Sequence, residues 1–230
     1  MNLESTEKIW KLLGLMLKSH PWHGVPIGKN APELLQAFVE IVPSDTIKYE
    51  IDKGTGFLKV DRPQKFSNVC PALYGFLPQT YCDAHVAAYC NEKTGKNVVG
   101  DGDPLDICII SERPITHGNI LLQCIPVGGF RMIDGDEADD KIIAVMKDDL
   151  VYGDCTSIKD IPALVIDRLR HYFLTYKQLP NEGKSKSEIT HTYDRDEALE
   201  VIKLSQKDYQ AKFGDLKGLL ASLLREENEN

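Results

Sequence analysis

Asp101-Gly102-Asp103-Pro104-Leu105-Asp106 sets three carboxylates directly ahead of the apolar run Ile107-Cys108-Ile109-Ile110. Like charges confined to a small volume repel and drive one another's pKa values up. A divalent cation removes that cost, and oxygen-only donors suit a hard ion such as magnesium or manganese. Gly102 and Pro104 predict a turn, and the β-branched run after it predicts a buried strand whose first residues carry the carboxylates. A second acidic stretch, Asp134-Gly135-Asp136-Glu137-Ala138-Asp139-Asp140-Lys141, leads into a similar strand, Ile142-Ile143-Ala144-Val145. Alone, either stretch reads equally as a solvated acidic loop; together they read as two halves of one multi-metal site. Calcium loops of the EF-hand type are excluded by spacing, since Leu105 and Asp106 stand where a ligand and a glycine are needed, and Ala138, Asp139 and Val145 fail in the second stretch.

Cationic and phenolic residues repeat the pattern of falling beside turns or element ends. Lys48, Arg62, Lys141 and Lys177, with Tyr74 and Tyr176, can give charge-assisted hydrogen bonds to a phosphate. Acidic turns with such a set suit metal-assisted attack of water on phosphorus. Metals would neutralise the substrate and activate the water, while the cations align the phosphate oxygens.

The elements that must position these groups are legible from periodicity. Residues 4–19, with Ile9, Leu13, Met16 and Leu17 at helical spacing, predict an N-terminal helix stopped by Pro21, and residues 21–32 an irregular arm. Strands are expected at 37–42 and 47–52, with a hairpin turn at Asp52-Lys53-Gly54-Thr55-Gly56 into Phe57–Val60. Tyr74-Gly75-Phe76-Leu77-Pro78 reads as an aromatic turn, and 81–100 as a polar, irregular loop. Further strands are expected at 105–110 and 120–126, with Gly128-Gly129 bending the chain into 130–133. Six or seven short strands with close connections favour a small barrel. Asp160 is expected to cap a helix, with Pro162 in its first turn, that runs through Tyr176 and ends at Pro180. A polar loop follows at 181–187, then a helix at Arg195–Phe213 and a short apolar helix at Leu216–Leu224.

The bulk properties narrow the class. A chain of 230 residues with 42% hydrophobic and 27% charged content suits one soluble globular domain. A net charge of −8 argues against a nucleic-acid partner. The apolar stretch 9–17 is too short to span a membrane, and neither membrane association nor a signal peptide is expected. The six cysteines form no CxxC pair, which points to reduced thiols and a cytoplasmic setting. Cys82, His85 and Cys90 lack a fourth zinc ligand.

In order, Glu40, Ile47-Lys48-Tyr49-Glu50-Ile51-Asp52-Lys53, Val60-Asp61-Arg62, Tyr74-Gly75-Phe76 and the Asp101–Asp106 motif closely resemble the soluble family I inorganic pyrophosphatases. Asp134, Asp139, Lys141, Tyr176 and Lys177 continue the match, which covers residues 36–180. The resemblance implies an α+β, mainly β fold: a small closed five-stranded OB-like barrel with flanking helices. It implies hydrolysis of pyrophosphate to two orthophosphates with several Mg2+ ions, Mn2+ or Zn2+ being substitutes, in a homo-oligomer, dimer or hexamer. The whole chain would be one pyrophosphatase domain, with 1–35 an arm, 36–180 catalytic and 181–230 a helical segment. By position, Asp101, Asp106, Asp134 and Asp139 match metal ligands, and Asp103 the group that orients and deprotonates the metal-bridging water. Glu40 and Glu50 match further cavity carboxylates, and Lys48, Arg62, Tyr74, Lys141, Tyr176 and Lys177 the phosphate-binding set.

Cys70 departs from the family by standing where a tyrosine is common. Read as a residue on the cavity rim, it predicts that Cys70→Tyr is tolerated. Gly135 stands where a glutamate follows the aspartate, with Asp136 as a substitute carboxylate. Two other readings compete: a nucleotide phosphohydrolase, against which no Gly-rich phosphate loop appears, and a non-catalytic OB-like module binding phosphate or metal, which would be expected to have lost one of Asp101, Asp103 and Asp106.

Overall fold

The computed structural model describes residues 19–177 and 187–214. Residues 4–18 of the expected N-terminal helix, the helix expected at 216–224 and residues 181–186 of the expected loop lie outside the described residues, while Ser187 begins β10. In chain order the elements are β1 (Leu35–Ile41), β2 (Ile47–Ile51), β3 (Leu58–Pro63), β4 (Leu73–Phe76), α1 (Ala84–Thr94), β5 (Val99–Gly100), β6 (Asp106–Ile110) and β7 (Ile120–Asp134). Then come β8 (Glu137–Ala138), β9 (Lys141–Met146), α2 (Ala163–Thr175), β10 (Ser187–Asp194) and α3 (Arg195–Phe213).

Five strands pair in the order β1-β4-β6-β9-β7, and β7 returns to pair with β1, making a ring of OB-like character. Its interior is a continuous apolar core that includes Leu35, Val39, Leu73, Ile107, Ile142 and Ala144. A second cluster, built on Phe130, Met132, Ile143, Leu169 and Phe173, seats α2 against the outside of the ring. The β2–β3 hairpin forms a separate two-stranded sheet beside β1.

Four expectations need correction. Tyr74-Gly75-Phe76 is strand β4, and Gly128-Gly129 lies inside one unbroken strand, β7. In both places glycine marks close approach: a Cβ on Gly75 would stand 1.9 Å from the Phe38 carbonyl oxygen, and one on Gly129 2.5 Å from the Tyr193 ring, while the expected bend in β7 survives as a register irregularity between Pro126 and Gly128. Residues 81–100 are not an irregular loop but carry α1 and β5. The helix was hidden because its only buried side chains, Val86, Ala87 and Cys90, make a narrow apolar stripe, and its N-terminus is capped from outside. Asp208 of α3 accepts the backbone N–H groups of Asp83, His85 and Val86 at 3.0 Å each, and lies 2.7 Å from His85 Nδ1. Asp160 does not cap α2, which starts at Ala163 after Pro162. Its carboxylate is already engaged upstream by the Thr156 and Ser157 N–H groups at 2.9 and 3.0 Å.

Cys70 is fully buried in the cluster beneath α2, not on a rim. Burial pushes its thiol up to about 12, outweighing its hydrogen bonds. We therefore expect Cys70→Tyr to destabilise the fold, because a phenol ring forced into a filled core costs more than the ~1–3 kcal/mol of an added methylene. A melting temperature equal to the parent's would contradict this.

The arm at 19–34 docks through Trp22, whose Nε1 donates to the Thr80 carbonyl at 2.8 Å, and through a 2.9 Å hydrogen bond between His23 Nδ1 and the Tyr209 hydroxyl. Burial, aided by the nearby His20, lowers the His23 pKa from 6.5 to about 4. Between those pH values the unfolded chain takes up a proton that the folded chain refuses, so stability falls as pH drops through the window. The gap between the urea midpoints at pH 7.5 and pH 5 should narrow in His23→Gln; an unchanged gap would exclude His23 as a source of acid sensitivity.

Candidate active site

Strand directions bring the two acidic turns to one rim. β6 and β9 run parallel with Asp106 opposite Lys141, so both strands start at that rim. β7 runs antiparallel to β9 and therefore delivers Asp134 there from its C-terminal end. The Asp101–Asp106 turn hangs from the segment after β4. Cys82 N–H donates to the Asp103 carbonyl at 2.9 Å, Gly102 N–H to the Cys82 carbonyl at 3.0 Å, and Leu105 N–H to Thr80 Oγ1 at 2.9 Å. Asp101 Oδ1 accepts the Asp103 N–H at 2.9 Å, and Gly102 takes the positive φ of 71° that the turn requires.

Around this rim the carboxylates face cations. Lys141, buried, hydrogen-bonds through Nζ to both Asp106 and Asp139. Lys177 bonds Asp134, which also accepts Ser187 Oγ at 2.7 Å. Lys53 bonds Asp103. Tyr74 Oη donates to Asp106 Oδ2 at 2.6 Å. On the hairpin, Lys48 Nζ lies 2.7 Å from Asp61 and 3.2 Å from Glu50, and the Arg62 guanidinium sits 5.9 Å from the centre of the Tyr176 ring. Glu40, buried on β1, accepts the Ile51 N–H at 2.6 Å and ties the hairpin to the ring.

Protonation follows from this packing. Burial pushes Asp101 up to about 9, with Asp139 and Asp106 adding repulsion. Asp139 is raised by burial against the pull of Lys141, and Glu40 is raised to about 8 by burial. Burial alone would lower Lys141, but Asp106 and Asp139 outweigh it and hold the amine charged. Burial, then the Asp106 and Asp139 charges, keep the Tyr74 phenol protonated and able to donate. Asp134 stays below the usual carboxylate range because Lys177 and Ser187 outweigh its partial burial.

The donor set therefore fits a hard divalent cation: oxygen-only ligands, repelling one another, in a volume too dry to keep them all charged. Among the described residues no three of these side chains converge on one point, because lysines stand between them.

The expected residues fall into three contact groups: Tyr74, Asp106, Asp139 and Lys141; Asp101 and Asp103 with Lys53; and Lys48, Glu50, Arg62, Tyr176, Lys177 and Asp134, with Glu40 bonded to the hairpin backbone. Asp136, proposed as a substitute carboxylate, is exposed, its main-chain carbonyl accepting the Val99 N–H at 3.0 Å. Cys82, His85 and Cys90 form no metal group among the described residues, and His85 is committed to Asp208. Two members of the ring were missed, Lys53 and Asp61. Both lie within the segments of resemblance, and charge in a hairpin facing an acidic turn was the available signal.

A model of the inorganic pyrophosphatase family matches residues 37–210. The chain is 54% identical over 199 residues to an inorganic pyrophosphatase of Chlamydia caviae, covering 84% of this chain and 92% of that one. It is 37% identical to soluble inorganic pyrophosphatase 1 of Arabidopsis thaliana, over 83% of this chain and 80% of that one. The crystal structure of the inorganic pyrophosphatase from Thermus thermophilus superposes with a TM-score of 0.69 at 29% identity, covering 84% and 99% of the two chains. On the family model and on these identities together, the chain belongs to the inorganic pyrophosphatase family.

Proposed function

We propose that the chain hydrolyses inorganic pyrophosphate to two orthophosphates with magnesium, at the rim bounded by the two acidic turns. The observation that carries this reading is the pairing of four of the rim carboxylates with cations of the kind that hold phosphate: Lys141 with Asp106 and Asp139, Lys177 with Asp134, Lys53 with Asp103. A metal takes the carboxylates and a phosphate takes the lysines, so a magnesium–pyrophosphate complex satisfies both halves of every pair at once.

Asp101, Asp106, Asp134 and Asp139 would hold the ions. Bound there, magnesium supplies charge that neutralises the substrate and lowers the pKa of water. Asp103 would orient the attacking water and take its proton, a role that its half-exposed side chain, 48% accessible, supports. Lys48, Arg62, Lys141 and Lys177 hold the phosphate oxygens in line, with Tyr74 and Tyr176 as neutral donors. Glu40 and Glu50 support this set, Glu50 by holding Lys48 and Lys59 on the hairpin. The whole chain acts as one catalytic unit, in a cytoplasmic homo-oligomer. Among the described residues no helix is long and apolar enough to cross a membrane.

Phosphate release from pyrophosphate, ATP and a phosphomonoester, measured side by side with magnesium, tests the reading. Pyrophosphate should be strongly preferred and calcium should inhibit, because its looser coordination disturbs the in-line geometry. Full activity after exhaustive chelation would overturn the metal role, and an equal rate on ATP would favour a nucleotide phosphohydrolase.

A further inference from the structure

Arg131 lies on β7 with its side chain wholly out of water. Its Nη1 sits 2.7 Å from Asp140 Oδ2, and its Nη2 donates to Glu197 Oε1 at 2.7 Å. The guanidinium carbon is 5.0 Å from the ring centre of Tyr89 and 5.1 Å from that of Tyr193. Tyr193 Oη in turn donates to Asp140 Oδ2 at 3.2 Å. Burying an arginine is costly unless its charge is paired and its hydrogen bonds are met. Here α1, β10 and α3 each send one side chain to meet it, leaving its Nε and Nη1 without a well-formed hydrogen bond, and of the three only Tyr193 also reaches Asp140.

Asp140 stands between Asp139 and Lys141. In an extended segment neighbouring side chains point to opposite faces. Fixing Asp140 inward therefore aims Asp139 and Lys141 at the rim, where they pair with each other. The Asp139 N–H, held by the Met132 carbonyl at 3.0 Å, anchors the same segment to the residue after Arg131.

We propose that Arg131 is a positioning residue for the second acidic turn: through Asp140, and with Tyr193, it sets the orientation in which Asp139 receives a metal ion and Lys141 a phosphate. This rests on the assignment of Asp139 as a metal ligand made above. Groups that orient metal ligands from behind weaken metal affinity or activity about 10- to 100-fold when lost.

The test is calorimetric titration of magnesium chloride into the full-length protein without substrate, together with kcat, pyrophosphate KM and melting temperature. Tyr193→Phe removes only the hydrogen bond to Asp140 and should raise the magnesium Kd about three- to tenfold, with kcat recovered at saturating magnesium. Arg131→Lys replaces the two-pronged contact by a point charge and should raise it about 10- to 100-fold. Both variants binding magnesium like the parent, whether or not they melt earlier, would reduce the cluster to a stability element and overturn the proposal. If Arg131→Lys does not fold, Tyr193→Phe alone decides. Asp139→Asn serves as the control. If it matches the parent, the ligand assignment fails; if it weakens binding while the other two variants do not, only the positioning role fails.

Discussion

Asp103→Asn should lower kcat about 10²–10⁴-fold, because the amide keeps the shape of the carboxylate but cannot accept a proton. Magnesium affinity should change little, since Asp101, Asp106, Asp134 and Asp139 are untouched. Asp106→Asn should behave differently. It removes charge that faces both Lys141 and Tyr74 at the start of β6, so its activity should partly return at high magnesium. The measurement is the magnesium dependence of kcat for both variants against the parent. Recovery of Asp103→Asn to parental activity at high magnesium would mean that the base has been confused with a ligand.

Asp208→Ala should cost the fold about 3–4 kcal/mol. Three backbone N–H groups at the start of α1 lose their acceptor, each worth roughly 1 kcal/mol or more once buried. At about 2–4 °C per kcal/mol for a chain of this size, the melting temperature should fall by roughly 10 °C. Asp208→Asn keeps one carbonyl oxygen and should lose about half as much. The loss should reach the site as well, because Cys82, just ahead of the capped N-terminus, makes two backbone hydrogen bonds to Gly102 and Asp103. A parental melting temperature for Asp208→Ala would show that α1 holds its place without the cap.

How much of this could be read in the chain depended on where the information lay. The motif Asp101–Asp106 announced itself because its residues are consecutive and chemically extreme. Strands β1, β2 and β9 were legible from local alternation or from a β-branched run. Helix α1 was not, since its capping carboxylate sits on another helix more than a hundred residues later, and no window along the sequence contains both. β10, with no wide apolar face, was missed for a related reason: it forms because β7 offers a free edge. The glycines of β4 and β7 misled because the same residue serves a turn and a tight crossing. Arg131 could have been found: a lone charge inside Phe130-Arg131-Met132-Ile133 requires a buried partner, although the sequence does not say which carboxylate supplies it.

β7 serves as the common wall of several pairings. Along one backbone it bonds to β1, then β9, then β10, and it ends at Asp134. β9 follows it closely, but β1 and β10 come from far upstream and far downstream, so the ring is not completed by local steps alone, and the pairing with β1 comes only after a large loop has closed. Peeling β7 away would open the ring, free β10 and withdraw Asp134 in a single event. Catalysis in this protein is therefore a faithful reporter of global folding. In a urea titration, turnover and sheet dichroism should decay on one curve, and partial proteolysis should leave intact enzyme or inactive fragments, with no half-active barrel between them.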